Sequence, residues 1–150
     1  MLTNSNLTIT VFGGSGFLGA HVSDRLSESG HNVRIYDLER SLWLRGDQEM
    51  IIGDILDVKS VNAAIKGSDV VYNFAAIADL NDALNKPLRT IHVNVLGNIN
   101  ILEGCKINKI KRFIYASTVY VNSREGGFYR ISKQASEQLV EEYQRLYGLE

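Results

Sequence analysis

Cysteine is almost missing from this chain of 150 residues. Cys105 stands alone, so no internal disulfide can form, and a chain this sparing of cysteine reads as cytosolic. Proline is as scarce, with Pro87 the only one, and there is no low-complexity segment or internal repeat. Such a chain fits one compact domain that can bury a core without disulfides or structural metal. No apolar run approaches about 18 residues, which excludes a membrane-spanning helix. Residues 1–6 carry no basic segment, and the apolar stretch behind them runs straight into glycines, as a buried first strand does and a signal peptide does not. Neither sign of charge is in excess: 16 basic side chains against 17 acidic leave −1. That balance matches neither a nucleic-acid backbone nor a membrane surface, and the small cluster Lys109, Lys111 and Arg112 reads as a solvated strand entrance. His21, His31 and His92 share no metal-ligand spacing and read as structural, Cys105 has no obvious base nearby, and the seven tyrosines form no base-stacking pattern.

What is present is alternation. Strands are expected at 7–12, 33–36, 50–52, 70–74 and 113–116. Between the first two, Phe17, Leu18, His21, Val22, Arg25 and Leu26 recur at helical spacing until Gly30. Asp57 can cap a helix carrying Val58, Val61 and Ile65, which Gly67 ends. Pro87 opens a long helix with Leu88, Ile91, Val95, Ile99 and Leu102 on one face. A last helix begins near Tyr129 and reaches about Tyr147. The stretch 38–49 is the least readable, with Trp43 and Leu44 as candidates for a short helix. Continuously apolar strands alternating with helices specify an α/β fold, a doubly wound parallel sheet of Rossmann type with its ligand site at the carboxyl ends of the strands.

The segment Val11-Phe12-Gly13-Gly14-Ser15-Gly16-Phe17-Leu18-Gly19 follows the first strand and opens the first helix. In that context Gly13 allows a tight turn, Gly16 lets the backbone approach a pyrophosphate, and Gly19 permits close helix–strand packing. The pyrophosphate would lie on the free amides around Ser15, Phe17 and Leu18. Asp37 ends the second strand 18 residues after Gly19, where a carboxylate accepts hydrogen bonds from an adenosine ribose. A carboxylate there repels a 2′-phosphate and favours NAD over NADP, while the nearby Arg40 leaves NADP open.

Tyr129 and Lys133 stand one turn apart on one helix face, shortly after a strand that ends in Ser117-Thr118. A free phenol with pKa near about 10 is a poor base at neutral pH; an adjacent ammonium favours the phenolate. With these residues in place the sequence resembles the extended short-chain dehydrogenase/reductase superfamily, and within it the NAD-dependent nucleotide-sugar epimerases and dehydratases. The likeness runs from Leu7 to Tyr147. It implies that Asp54 and Ile55 contact adenine, that Asn73-Phe74-Ala75-Ala76 lies along the cofactor, and that Asn94 steadies the backbone of the active site. A Ser or Thr after the fifth strand would bond the reacting oxygen; counting along the strand favours Thr118, with Ser117 adjacent. Tyr129 would transfer the proton, and Lys133 would tune it and hold the nicotinamide ribose, alongside Ser117.

The resemblance thus implies transient oxidation of a nucleotide sugar by hydride transfer to NAD. Two alternatives stay open: a simple NAD(P)-dependent reductase of the same superfamily, and a non-catalytic dinucleotide-binding sensor or fragment. Only ten residues, 119–128, link Thr118 to Tyr129, shorter than the resemblance leads one to expect. Residues 1–150 are expected to be the NAD-binding part of a longer enzyme, inactive without the C-terminal substrate region. A homodimer through the two long helices is also implied, with Ile99, Leu102, Leu139 and Tyr143 apolar enough for either an inner or an outer face.

Overall fold

The computed structural model describes residues 6–150. The opening segment up to Ser5, and with it most of the stretch weighed as a signal peptide, lies outside the described residues. Five strands form one parallel sheet: β1 (Thr8–Phe12), β2 (Asn32–Asp37), β3 (Gln48–Ile52), β4 (Val70–Asn73) and β5 (Arg112–Tyr115), in the order β3-β2-β1-β4-β5. The chain winds outward from β1 on one side, then returns to build the other half beyond it. The switch point therefore falls between β1 and β4, where Phe12 pairs with both Tyr36 and Asn73. This is the parallel, doubly wound sheet expected from the apolar runs.

Alternation along the central strands feeds two cores. Ile9, Val11, Val33 and Ile35 face α1 (Phe17–Glu28). Phe12, Tyr36 and Val71 face the opposite layer, where Val61 and Ile65 of α2 (Val58–Ile65) meet Ile101, Leu102 and Cys105 of α5 (Gly97–Ile107). Full burial of an Ile or Leu side chain is worth about 1.5–3 kcal/mol relative to exposure, so this second core carries most of the apolar stabilisation. Asp57 caps α2 as expected, accepting from the amides of Lys59 and Ser60. Glycines set the closeness of this layer: a Cβ at Gly97 would stand 2.4 Å from Ile55 Cδ1, and one at Gly104 2.6 Å from Ile65 Cδ1.

Three expectations are corrected. No helix forms at 38–49; the segment runs through bends and turns into β3, which begins at Gln48, with Leu42 and Trp43 exposed. The apolar positions opening α1 do not face the core: Phe17 and Leu18 are 76% and 60% exposed, and the helix buries Gly19, Ala20, Ser23 and Ser27 instead. The long helix is three pieces end to end, α4 (Pro87–Ile91), a π-helical segment (His92–Leu96) and α5. The wider π turn shifts the register, so the buried positions are Thr90, Asn94, Gly97, Asn98, Ile101, Leu102, Gly104 and Cys105, and of the expected stripe only Leu102 is fully buried.

α3 (Leu80–Asn85) precedes this assembly and α6 (Gly127–Tyr147) packs along it. Leu139 and Tyr143 turn inward against the core, and the Tyr143 hydroxyl donates to Glu103. At the end of the chain Leu149 is buried. The Glu150 amide donates to Lys111 O (2.9 Å) and its carbonyl accepts from Phe113 N (2.7 Å), pairing with the outer edge of β5.

Candidate functional site

The glycine turn leaves β1 at the switch point. Gly13 takes φ +74°, and its amide donates to Tyr36 O at 2.9 Å. A Cβ on Gly13 would lie 2.5 Å from Ala75 N, and one on Gly19 2.2 Å from Gly13 O, so both positions are closed to side chains by backbone packing alone. Gly16 differs. Its backbone is extended (φ −76°, ψ 172°), and a Cβ there would meet nothing nearer than Gly13 O at 3.4 Å. Gly16 is also the N-cap of α1, with no side-chain cap and no acidic residue in the first turn. The first amides of α1 are left to a ligand, and their dipole favours an anion.

Asp37 is anchored against this turn, accepting from Ser15 N (2.9 Å) and Leu38 N (2.7 Å), while the Ser15 hydroxyl donates to Glu39 O (2.7 Å). A carboxylate has about four acceptor sites, so two remain for ribose hydroxyls. Asp54 accepts from Leu56 N through one oxygen (2.9 Å), and its carbonyl is held by the Tyr36 hydroxyl (2.9 Å). A cleft of about 750 Å³ lies between these elements. Of the residues expected to hold a cofactor, Gly13, Ser15, Gly16, Asp37, Asp54, Ile55, Phe74, Ala75 and Ala76 line it; Phe17, Leu18, Gly19 and Asn94 do not.

The sequence had not singled out Ile77, Arg89, His92 and Val93, which form the opposite wall. The one signal for them was Asn94, which anchors their segment. His92, expected to be purely structural, stands on this wall, whereas His21 binds Phe17 O and His31 lies at the Leu7 amide. Among the described residues no group of three His, Cys, Asp or Glu could hold a metal ion. Burial pushes the Cys105 thiol up to about 12, which leaves it inert packing.

Asn94 acts from behind the cleft. It is 2% exposed, and its side chain accepts from Ile77 N (2.8 Å) and donates to Ile77 O (3.1 Å) and Ser132 Oγ (2.9 Å). Its own carbonyl accepts from Ser136 Oγ at 2.9 Å. The π turn is what points this amide inward, and the amide locks the segment after β4 to α6.

The catalytic candidates meet at the end of β5, beyond the lining of the cleft. Thr118 caps a 3₁₀ turn (Val119–Asn122), its hydroxyl accepting from the Tyr120 amide at 3.4 Å, and it stands close enough to Tyr129 to favour the phenolate. Ser117 is turned away and donates instead to the Glu137 carboxylate. The geometry therefore separates the two hydroxyls that counting along the strand left adjacent. The short link to Tyr129 folds back on itself: Gly126 has φ +88°, and a Cβ there would stand 2.9 Å from Tyr120 Cγ. Tyr120 meets the Tyr129 ring edge-on at 6.5 Å.

Lys133 is 3% exposed. Its Nζ donates to Ala116 O (2.8 Å) and lies 4.6 Å from the Tyr115 ring centroid and 5.8 Å from that of Tyr129. Burial depresses this ammonium to about 8, with Glu137 opposing the fall. Burial also raises the Tyr129 phenol, against the lowering effect of Thr118. The expected lowering of Tyr129 by Lys133 is thus not seen in the free chain, because desolvation of the phenol outweighs an ammonium committed to Ala116.

A sheet whose chain reverses direction beside a glycine turn, with a free helix N-terminus aimed across the reversal, defines a dinucleotide-binding domain of the Rossmann class. The chain matches the NAD dependent epimerase/dehydratase family over residues 9–150 and belongs to it. It is 30% identical over 161 residues to a putative UDP-glucose 4-epimerase of Methanocaldococcus jannaschii, covering 95% of this chain and 52% of that one. The structure of the Thermotoga maritima UDP-glucose 4-epimerase with UDP-glucose superposes with a TM-score of 0.88 at 26% identity, over 95% of this chain and 53% of that one. The Brucella ovis UDP-glucose 4-epimerase in complex with NAD gives 0.87 at 26%, over 97% and 50%. The chain spans between about a third and about half of the length of the curated relatives it matches, and about half of these two solved chains. NAD is the cofactor of the family.

Proposed function

We propose that this chain is the cofactor-binding part of an NAD-dependent epimerase or dehydratase that acts on a nucleotide sugar. The observation that carries the reading is the contrast around the glycine turn. Gly13 and Gly19 are filled by backbone, while at Gly16 a Cβ would make no more than an ordinary contact, with Gly13 O at 3.4 Å, at an uncapped helix end. That is the shape a pyrophosphate needs. Asp37 and Asp54 then supply acceptors for ribose and adenine at the distances the cleft allows.

Held by the glycine turn, Asp37 and Asp54, NAD would supply a reversible hydride acceptor for the sugar carbon. The chain's own groups handle the proton and the geometry. Tyr129 takes the hydroxyl proton as its oxygen becomes a carbonyl, Thr118 hydrogen-bonds that oxygen, and Lys133 holds the nicotinamide ribose and favours the phenolate. Burial raises the Tyr129 phenol, and a positive nicotinamide ring beside it would favour the phenolate.

Calorimetry with both dinucleotides tests the cofactor half of the reading. NAD should bind more tightly than NADP, and Asp37→Ala should weaken NAD by about 10-fold or more and narrow the gap, since a charge-assisted hydrogen bond contributes about 1.5–3 kcal/mol. Equal or reversed affinities in the unaltered protein would remove Asp37 from this role. In the full-length protein, conversion of a nucleotide sugar followed by NMR tests the rest, and firm NAD binding without any conversion would leave a sensor.

The working state proposed is a cytosolic homodimer. The lone buried Cys105 suits a reducing compartment. Leu84, Leu96, Ile131 and Leu146 leave apolar surface exposed along α3, the π segment and α6. Light scattering at micromolar concentration should give twice the monomer mass; a clean monomer would refute the dimer.

A further inference from the structure

The floor of the cleft holds a polar chain that the proposed chemistry does not use. Tyr36 is fully buried, and its ring meets that of Phe12 at 4.8 Å in the core. A phenylalanine would satisfy that packing, and a hydroxyl sunk there costs free energy unless it is bonded. It is bonded twice, to Asp54 O and to Ser60 Oγ, each at 2.9 Å. A phenol has one proton, so with that proton on the Asp54 carbonyl the Ser60 hydroxyl is the donor to Tyr36. The backbone leaves room for the pair: a Cβ at Gly53 would stand 2.3 Å from the Tyr36 hydroxyl and 2.7 Å from Ser60 Oγ.

What this chain grips is the segment just after β3. Gly53 N donates to Asp37 O, Asp57 N to Asp54 O, and Asn100 Nδ2 of α5 to Ile55 O, all at 2.9 Å. The Asp54 side chain closes the segment on itself, one carboxylate oxygen accepting from Leu56 N at 2.9 Å. Its other oxygen has no partner among the described residues, and Asp54 lines the cleft.

We propose that Tyr36 and Ser60 are positioning residues that fix the Asp54 carboxylate, and that this fixity makes the cleft select a 6-amino purine over a 6-oxo purine. The proposal rests on the adenine role given above to Asp54. The chemistry of the two bases supplies the reason. The amino group of adenine donates to a carboxylate. Hypoxanthine presents an oxygen at the same place, an acceptor facing an acceptor, with a donor beside it on N1. A carboxylate free to shift can leave that oxygen and accept from N1–H instead; one whose backbone is anchored cannot. Discrimination therefore depends on keeping the carboxylate still, and a buried network whose members are bonded to one another confers that rigidity.

The test is calorimetry of the purified protein with NAD and with nicotinamide hypoxanthine dinucleotide, which differs from it in the base alone. The parent should favour NAD by at least about 10-fold, the worth of one hydrogen bond to a charged group. Tyr36→Phe keeps the ring and removes the hydroxyl, and should narrow that preference by about 3- to 10-fold. Ser60→Ala, at a half-buried helix position, should narrow it by less. A purely structural loss would weaken both dinucleotides alike and leave their ratio untouched. An unchanged ratio in either variant overturns the proposal, so Ser60→Ala decides alone if Tyr36→Phe fails to fold. A parent that binds both dinucleotides equally overturns it too. Asp54→Ala separates the two levels, since it should abolish the preference. If the preference survives Asp54→Ala, the adenine role of Asp54 fails and the proposal with it. If Asp54→Ala abolishes the preference and Tyr36→Phe keeps it, the positioning role alone fails.

Discussion

The cofactor cleft and the reacting corner are built by opposite means. The cleft is made of backbone: a turn that backbone atoms press on from both sides, the bare end of α1, and the chain after β4 held by Asn94. The corner is made of side chains on three separate elements, and its tuning depends on burial that differs by residue. Backbone geometry survives most substitutions and fails at a few positions where no side chain fits. Side-chain chemistry fails one group at a time, and its failures do not spread.

The sharpest break in that contrast should come at the corner. In the enzyme proposed above, Tyr129→Phe should lower turnover by roughly 10²–10⁴-fold, the usual loss for a general acid–base group, with NAD affinity nearly unchanged. Full activity in that variant would end the proton-transfer assignment. In the cleft, Gly16→Val should do the reverse. Its extended backbone accepts valine, so thermal unfolding should be little altered, while NAD affinity falls by at least about 100-fold as the side chain displaces two or more charge-assisted bonds. Normal binding would reduce the loop to a simple turn. The smallest effect belongs to the residue that joins the regions. Asn94→Leu strands the amide and carbonyl of Ile77, at a cost of about 1–3 kcal/mol in denaturant unfolding. No change there would mean that water or a neighbour replaces the side chain.

The same division explains what could be read from the sequence. Gly13, Gly16, Gly19 and Asp37 were legible because backbone sites impose residue type at fixed spacing, and the apolar strands were legible because a two-faced sheet leaves them few polar positions, Thr10, Arg34 and Asn73 among them. The long helix was not. Its buried face carries Thr90, Asn94 and Asn98, chosen for hydrogen bonds and small size rather than apolarity, and the π turn breaks the 3.6-residue count that periodicity relies on. The apolar residues opening α1 misled for a related reason: the turn presses so closely on this helix that glycine is required at position 19, and small residues fill the rest of the buried face. His92 and Arg89 became part of the cleft wall through tertiary contact alone, with no local signal to mark them.

Gly97 belongs to neither region, yet it decides how deep one of them is. Ile55 forms part of the cleft wall, and its side chain leans back into the space where Gly97 has no Cβ. A single methyl at 97 would stand 2.4 Å from Ile55 Cδ1 and push that side chain forward into the space a base would occupy. The room for a ligand at this point is thus dictated from the rear, by a position in the helix behind that lies outside the lining of the cleft. A change in which ring fits there could be made without altering any residue the ring would meet.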